Sequence, residues 1–310
     1  MTVLLDSHAI KEKVHSLGFH QVGIADARVP LARTEDLTNW LAQGYQADMA
    51  WMEDPRRQNI QQVLSGVQSV IVTALSYYTE DEDTVPSGTA KISRYAWGRD
   101  YHKVLGGKLK TLSRWLQEEA PDHQHRWYVD TGPVLEKAWA ERAGLGWLGK
   151  NTLLLSRDFG SYVFLGVVLT TLPLEADTPT TAHCGTCTRC LDNCPTRAFP
   201  QPGVLDSNRC IAYHTLENRG EALPADLPLM DWVVGCDLCQ SVCPYNQKLS
   251  AKEIPADFLP REGVLTSRLE ALTVIDDDTF DQWSRGMALR RVKAKGLRRN
   301  ALHALQYRNR

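Results

Sequence analysis

Eight cysteines carry the most legible chemistry in this 310-residue chain, and all of them lie between Cys184 and Cys243. The first run, "CGTCTRCLDNCPT" (184–196), has the order C-x2-C-x2-C-x3-C-P. Bacterial ferredoxins ligate iron–sulfur clusters in that order. The second run, "VVGCDLCQSVCPYN" (233–246), supplies Cys236, Cys239 and Cys243-Pro244 in the same order, with Val233 where a first cysteine would stand. Thiolate sites also take zinc, but structural zinc draws on two C-x2-C pairs separated by a longer loop. Three thiolates in seven residues, as in 184–190, suit three corners of one cubane instead.

In two-cluster ferredoxins the fourth cysteine of each run serves the other cluster. By that rule Cys184, Cys187 and Cys190 are completed by Cys243, and Cys194 joins Cys236 and Cys239. The second set is then one ligand short, and one cysteine, Cys210, is left over. The ligands of two clusters are exhausted if Cys210 fills the gap, so it is the predicted ligand; the alternative is a buried structural thiol. Two 4Fe–4S clusters close together pass single electrons inward from an external low-potential donor.

These cysteines sit in a chain that is 43% hydrophobic and 23% charged, ordinary for a globular protein of one large or two moderate domains. The opening "MTVLLDSHAIKEK" lacks a basic n-region, a signal-length apolar core and a twin-arginine pair, which predicts a cytoplasmic protein. The longest apolar-rich run, "YVFLGVVLTTLPL", falls short of the roughly 20 residues of a membrane helix and reads as a buried strand. Without a signal peptide, cysteines favour metal binding over disulfides. Net charge is −2, but residues 281–310 hold nine Lys/Arg against one acid. Such a tail suggests a polyanionic partner, the alternative being a solvated helix end.

The positioning elements follow from periodicity and caps. "DSHAIKEKVHSLG" is an amphipathic helix capped by Asp6 or Ser7 and stopped by Gly18. "FHQVGIA" is a strand, "TEDLTNWLAQG" a second helix, and "SVIVTALSYY" a buried strand followed by the acidic loop "TEDEDTVPSGT". "HKVLGGKLKTLSRWLQEEAP" is a helix with a weak spot at Gly106-Gly107, and "HRWYVDTG" a strand entering a turn. "PVLEKAWAERAG" predicts a helix with Pro133 at its first position. "NTLLLS" and "GSYVFLGVVLTT" predict a strand pair joined by "RDF". The chain ends in one or two basic amphipathic helices. The expected class is α+β: an amino-terminal α/β domain over 1–175, a ferredoxin-like double-cluster domain over 176–260, and a basic helical segment over 261–310.

"ISRYAWGRDYHKVL", "VDTGPVLEKAWAERAGLGWLGKNTLLL" and "CIAYHTLENRG", together with the cysteine runs, resemble the epoxyqueuosine reductase family from near residue 10 onward. The resemblance implies a cobalamin-binding domain joined to a double 4Fe–4S domain. It also implies reduction of the epoxide of epoxyqueuosine, at the tRNA wobble position, to queuosine. Asp130 in "VDTGP" matches the family's proton donor. An epoxide oxygen leaves poorly unless protonated, so an acid is required, and a carboxyl in apolar surroundings at the end of "WYV" would suit one. An aspartate before a proline-led helix is also a common N-cap.

Corrin contacts implied by the resemblance are Ser93, Arg94, Tyr95, Asp130, Lys150, Asn151, Leu154 and Ala212. "DYHKVLGG" approaches the D-x-H-x-x-G motif of histidine-ligated cobalamin, but Gly106 falls one place late after Asp100 and His102. Base-off cobalamin without a histidine ligand is what the resemblance implies. Longer relatives continue into a helical-repeat domain, and "GLRRNALHALQYRNR" resembles its first helix, which is the expectation for either a naturally short form or a truncated chain. The expected partner is tRNA, met by Arg219, Arg290, Arg291, Lys293, Lys295, Arg298 and Arg299. Two other readings share parts of this pattern: a reductive dehalogenase-like corrinoid enzyme, against which the basic tail speaks, and a two-cluster electron carrier.

Overall fold

A computed structural model describes residues 5–79, 88–249 and 255–308. Most of the acidic loop, residues 80–87, lies outside the described residues. The chain forms two compact units, one of residues 1–44, 50–76 and 102–187, the other of residues 45–49, 77–101 and 188–310.

The first unit is built on a four-stranded antiparallel sheet. Helix α1 (Ser7–Ser16) is capped by Asp6, whose carboxylate accepts the Ala9 N–H at 2.8 Å. It leads to β1 (Gln21–Asp26) and α2 (Arg33–Ala42), and β2 (Ser69–Ser76) follows, buried at all eight positions. The short β3 (Lys91–Ile92) belongs to the second unit. Helix α3 (Tyr101–Glu119) runs unbroken through Gly106-Gly107, because Leu105, Leu109, Leu112 and Leu116 are fully buried along one face. Each such leucine stabilises the fold by about 1.5–3 kcal/mol, more than the ~1 kcal/mol a helical glycine costs.

After it come β4 (His125–Tyr128), α4 (Glu136–Arg142), β5 (Trp147–Leu148), β6 (Leu154–Leu155) and β7 (Val163–Thr170). Sheet order is β1-β2-β7-β4, with Ser69 opposite Thr170 and His125 opposite that same threonine.

Two local expectations are corrected here. The stretches 151–156 and 160–171 do not form one hairpin: β6 pairs with β5, while β7 inserts between β2 and β4, leaving only a Ser156–Gly160 bridge between them. Two strand partners for β7, the fully buried β2 among them, outweigh one short connection. Helix α4 begins at Glu136 with Leu135 at its cap, not at Pro133, because residues 130–134 form a turn.

The second unit contains α5 (Arg189–Asp192), α6 (Ile211–Leu216), β8 (Trp232–Val234), α7 (Leu238–Ser241) and α8 (Pro244–Gln247). Helices α9 (Leu269–Thr273), α10 (Asp277–Ser284) and α11 (Lys293–Arg308) complete it. Strand β3 pairs in parallel with β8. Ile92 and Trp97, Val233 and Val234, Leu269, and Leu289, Leu297 and Ala301 share a single core. That core explains why the units depart from divisions at residues 175 and 260. Residues 77–101 join the cysteine-bearing half, and the basic helix packs into it rather than standing apart.

Candidate active site and cluster ligands

In the first unit β4 delivers the chain to Asp130, which takes the left-handed backbone conformation (φ 60). A non-glycine residue there is uncommon, and the following turn holds it in place. The Thr131 N–H donates to Val129 O at 2.6 Å. At Gly132 a Cβ would lie 2.4 Å from the Tyr128 ring, so only glycine lets the turn close on that ring. The Asp130 N–H donates to Glu136 Oε1 at 2.7 Å, six residues on. Asp130 therefore caps no helix.

Its carboxylate lies 3.2 Å from His102 Nε2, with the Asp130 side chain 60% exposed and His102 32%. The expected apolar enclosure of Asp130 is not found; the carboxyl faces outward with an imidazole beside it. Sequence reasoning treated His102 only as a failed cobalt-ligand motif and missed Glu136. Nothing in the local sequence marks Glu136, because its link to Asp130 depends on the turn between them.

The other first-unit candidates divide. Lys150 Nζ donates to Gly185 O at 2.7 Å. Asn151 is buried, its Oδ1 accepting the Leu153 N–H at 3.3 Å. Leu154 is 3% exposed and part of the unit's core, which leaves its backbone alone to meet a ligand.

In the second unit Ser93 and Arg94 are buried and turned to one acceptor. Ser93 Oγ donates to Asp237 Oδ1, and the Arg94 N–H donates to Asp237 Oδ2 at 2.8 Å. The Arg94 guanidinium lies over the Trp97 ring at 5.2 Å, and its Nε donates to Thr79 O at 3.2 Å. These two residues thus hold Asp237 between Cys236 and Cys239. Tyr95 meets Tyr101 edge-on at 6.3 Å. Ala212 lies in the first turn of α6, half-buried.

All eight cysteines are free thiols. Cys194, Cys210, Cys236 and Cys239 interact electrostatically: Cys210 feels Cys194, Cys236 feels Cys210 and Cys194, and Cys239 feels Cys236, Cys210 and, more weakly, Cys190 of the first run. Burial pushes the Cys210, Cys236 and Cys239 thiols up, and neighbouring sulfurs push further. Backbone N–H groups aim at the sulfurs: those of Tyr213 and Ala212 at Cys210, Leu238 at Cys236, and Ala198 at Cys194, the last at 3.4 Å. Converging thiols with N–H donors fit an iron–sulfur cluster, since iron would hold them as thiolates and the amides would spread their charge.

Cys184 and Cys187 end the first unit, with the Cys187 N–H donating to Cys184 O at 3.0 Å. Cys190 lies in α5, and Cys243 caps α8 with Pro244 next, where a missing N–H costs nothing. Val233, at the place of the absent cysteine, is fully buried in β8, and its carbonyl accepts from Asn300 Nδ2 at 2.8 Å.

The basic residues of the tail are engaged differently. Arg290 pairs with Asp281, Arg291 with Glu217 at 2.5 Å, Lys295 with Glu221 at 3.3 Å and Arg298 with Asp277 at 2.8 Å. Arg219 donates to Arg291 O at 2.9 Å, and exposed Lys293 opens α11. Arg299 donates to the carbonyls of His214, Asn218 and Gly220, at 2.7–3.0 Å, which makes it an internal clamp.

Residues 57–131 match a family model described as "Epoxyqueuosine reductase QueG, DUF1730", and residues 183–246 match a "4Fe-4S double cluster binding domain". The chain is 54% identical to an epoxyqueuosine reductase of Gloeobacter violaceus, covering 96% of this chain and 94% of the relative. It is 53% identical to one of Synechocystis sp., covering 89% and 99%. A crystal structure of epoxyqueuosine reductase with an epoxyqueuosine-modified tRNA-Tyr stem loop superposes with a TM-score of 0.87 at 30% identity, covering 97% of this chain and 80% of that one. A Bacillus subtilis epoxyqueuosine reductase, solved with its aspartate-bearing catalytic loop swung out of the active site, gives 0.85 at 29% identity, covering 97% and 81%. With more than half of the aligned residues identical along nearly the full length of these two relatives, the chain belongs to the epoxyqueuosine reductase family.

Proposed function

We propose that this protein reduces the epoxide of epoxyqueuosine in a tRNA anticodon to the alkene of queuosine, the last step of that modification, with Asp130 as the proton donor. The reaction takes two electrons and two protons, breaks both C–O bonds of the epoxide, forms a C=C bond and releases water. The observation that carries the reading is the placement of Asp130. It sits on a left-handed turn that serves no helix cap, half-exposed, with His102 at 3.2 Å. An exposed carboxyl can reach a substrate oxygen, and the imidazole can orient it and accept its hydrogen bond.

Cobalamin, when bound, supplies a low-potential metal able to deliver two electrons to the epoxide carbon. His102 is committed to Asp130, which suits a corrin that takes no lower ligand from the protein. The residues proposed to hold it are Tyr95, Lys150, Asn151 and Ala212, with Leu154 contributing backbone. Ser93 and Arg94 are proposed to contribute through the hydrogen bonds by which they fix Asp237. The eight cysteines are proposed to bind two clusters, Cys184, Cys187, Cys190 and Cys243 in one, Cys194, Cys210, Cys236 and Cys239 in the other. They would relay electrons from an external low-potential donor.

The test is nucleoside analysis of an epoxyqueuosine-bearing anticodon stem loop after incubation with the reconstituted, reduced protein. Appearance of queuosine supports the reading, and unchanged epoxyqueuosine overturns it. Loss of an organic halide with no queuosine would favour a dehalogenase instead, and full iron with no corrinoid bound would favour an electron carrier.

A further inference from the structure

The reduction consumes two protons, and Asp130 carries one. Beside it lies an ionisable group that none of the roles above uses. Glu136 opens α4 and accepts the Asp130 N–H at 2.7 Å, so the two residues are tied across the turn. The groups that face its carboxyl are Asp130, Arg57 and His102. Arg57 is anchored elsewhere as well, Nε to Trp51 O at 3.0 Å and Nη1 to Val134 O at 3.4 Å. His102 in turn contacts the other end of Asp130, its carboxylate. Glu136, Asp130 and His102 therefore form one contiguous polar group inside the first unit.

Loss of solvation, reinforced by the Asp130 carboxylate, pushes Glu136 up to about 8, against the pull of the Asp130 N–H, Arg57 and His102. At neutral pH it keeps its proton while sitting next to the acid that must be replenished.

We propose that Glu136 stores the second proton of the reaction and passes it to Asp130, an inference that rests on Asp130 being the donor. Asp130 gives its proton to the departing epoxide oxygen and becomes a carboxylate. Glu136 then transfers its proton to that carboxylate, restoring the Asp130 acid and becoming ionised itself. The restored acid protonates the oxygen a second time, so that it leaves as water. Asp130 and Glu136, both left as carboxylates, each regain one proton from solvent, and the external donor supplies both electrons. Glu136 acts through Asp130 and does not touch the substrate.

The test joins a titration and a rate. Carbon-13 NMR of the glutamate carboxyls in the native protein should show one resonance titrating near pH 8. Its assignment is its loss in Glu136→Gln or, should that variant not fold, in Glu136→Asp. A Glu136 midpoint in the ordinary carboxylate range overturns the proposal whatever the activity. Glu136→Gln keeps an acceptor for the Asp130 N–H and an uncharged shape, but has no proton to give. In single-turnover reduction of the stem loop, native enzyme should slow as pH rises through about 8, while Glu136→Gln should be slower by roughly tenfold or more and lack that limb. A variant matching native rate and pH profile sinks the proton store and leaves the reductase standing. Native protein that makes no queuosine removes the parent reading, and the store with it.

Discussion

The main-chain N–H of Arg94 donates to Asp237 Oδ2 at 2.8 Å, tying a segment before α3 to the stretch between Cys236 and Cys239. Ser93 Oγ and Gln240 Nε2 donate to the other oxygen of that buried carboxylate. At Gly235, just ahead, φ is +67 and a Cβ would come within 2.6 Å of Ser93, so the chain can approach this closely only at glycine. Removing the carboxylate leaves several buried donors without a partner, each costing about 1–3 kcal/mol. Asp237→Ala should lower thermal stability and cut iron from about eight to about four per chain, because only the second ligand set loses its geometry. Iron analysis and a melting curve on the same sample check this; full iron content would show that Asp237 is not needed to shape the loop.

Cys210, at the cap of α6 and outside both cysteine runs, is the ligand proposed to complete the second cluster. Cys210→Ser should leave one cluster intact and perturb the other. Electron paramagnetic resonance of the reduced protein should then show the coupled two-cluster signal replaced by that of one cluster. A spectrum identical to native would return Cys210 to the role of a structural thiol.

The double-cluster domain was readable because cysteine spacing is a short-range property of sequence, and so were the buried strand at 69–76 and the Asp6-capped helix. What could not be read depended on distant partners. Strand β3 pairs with β8 from far along the chain, and this carries residues 77–101 into the second unit. Pro133 signalled a helix start, yet the left-handed turn at Asp130 postpones the helix to Glu136. Arg299 looked like a phosphate ligand because charge is visible in sequence, whereas the carbonyls it clamps are not.

Asp130→Asn should fold, retain both clusters and lose turnover by about 10²–10⁴-fold, the usual worth of a positioned acid. The amide still accepts a hydrogen bond from His102, so structure is preserved while the proton is gone. Single-turnover rates with stem-loop substrate measure it, and a rate within twofold of native would remove Asp130 from the donor role.

Glu136 also ties stability to pH. Its folded pKa, about 8, lies above the ordinary 4.5, so the fold favours the protonated form. The stability it contributes is fully present below about 4.5 and is lost as pH rises through about 8. Glu136→Gln removes this dependence. Urea midpoints should fall for native protein relative to the variant across that window, and parallel curves would show that Glu136 titrates as an ordinary surface carboxylate.

The basic tail separates into residues that can meet phosphate and one that holds the fold. Arg290, Lys293 and Lys295 are exposed, and where they pair with Asp281 or Glu221 the pairs are surface pairs worth only about 0–1 kcal/mol. A phosphate can displace such a partner at little cost. Replacing all three with glutamine should weaken stem-loop binding at low salt and reduce the slope of log affinity against log salt by about one per residue. Arg299 differs, since three backbone carbonyls depend on its guanidinium. Arg299→Gln should cost about 1–3 kcal/mol of stability and leave the salt slope of the remaining folded protein unchanged. Binding titrations across salt, read beside unfolding curves for both variants, decide the division. A change of salt slope in Arg299→Gln would move that residue from clamp to contact.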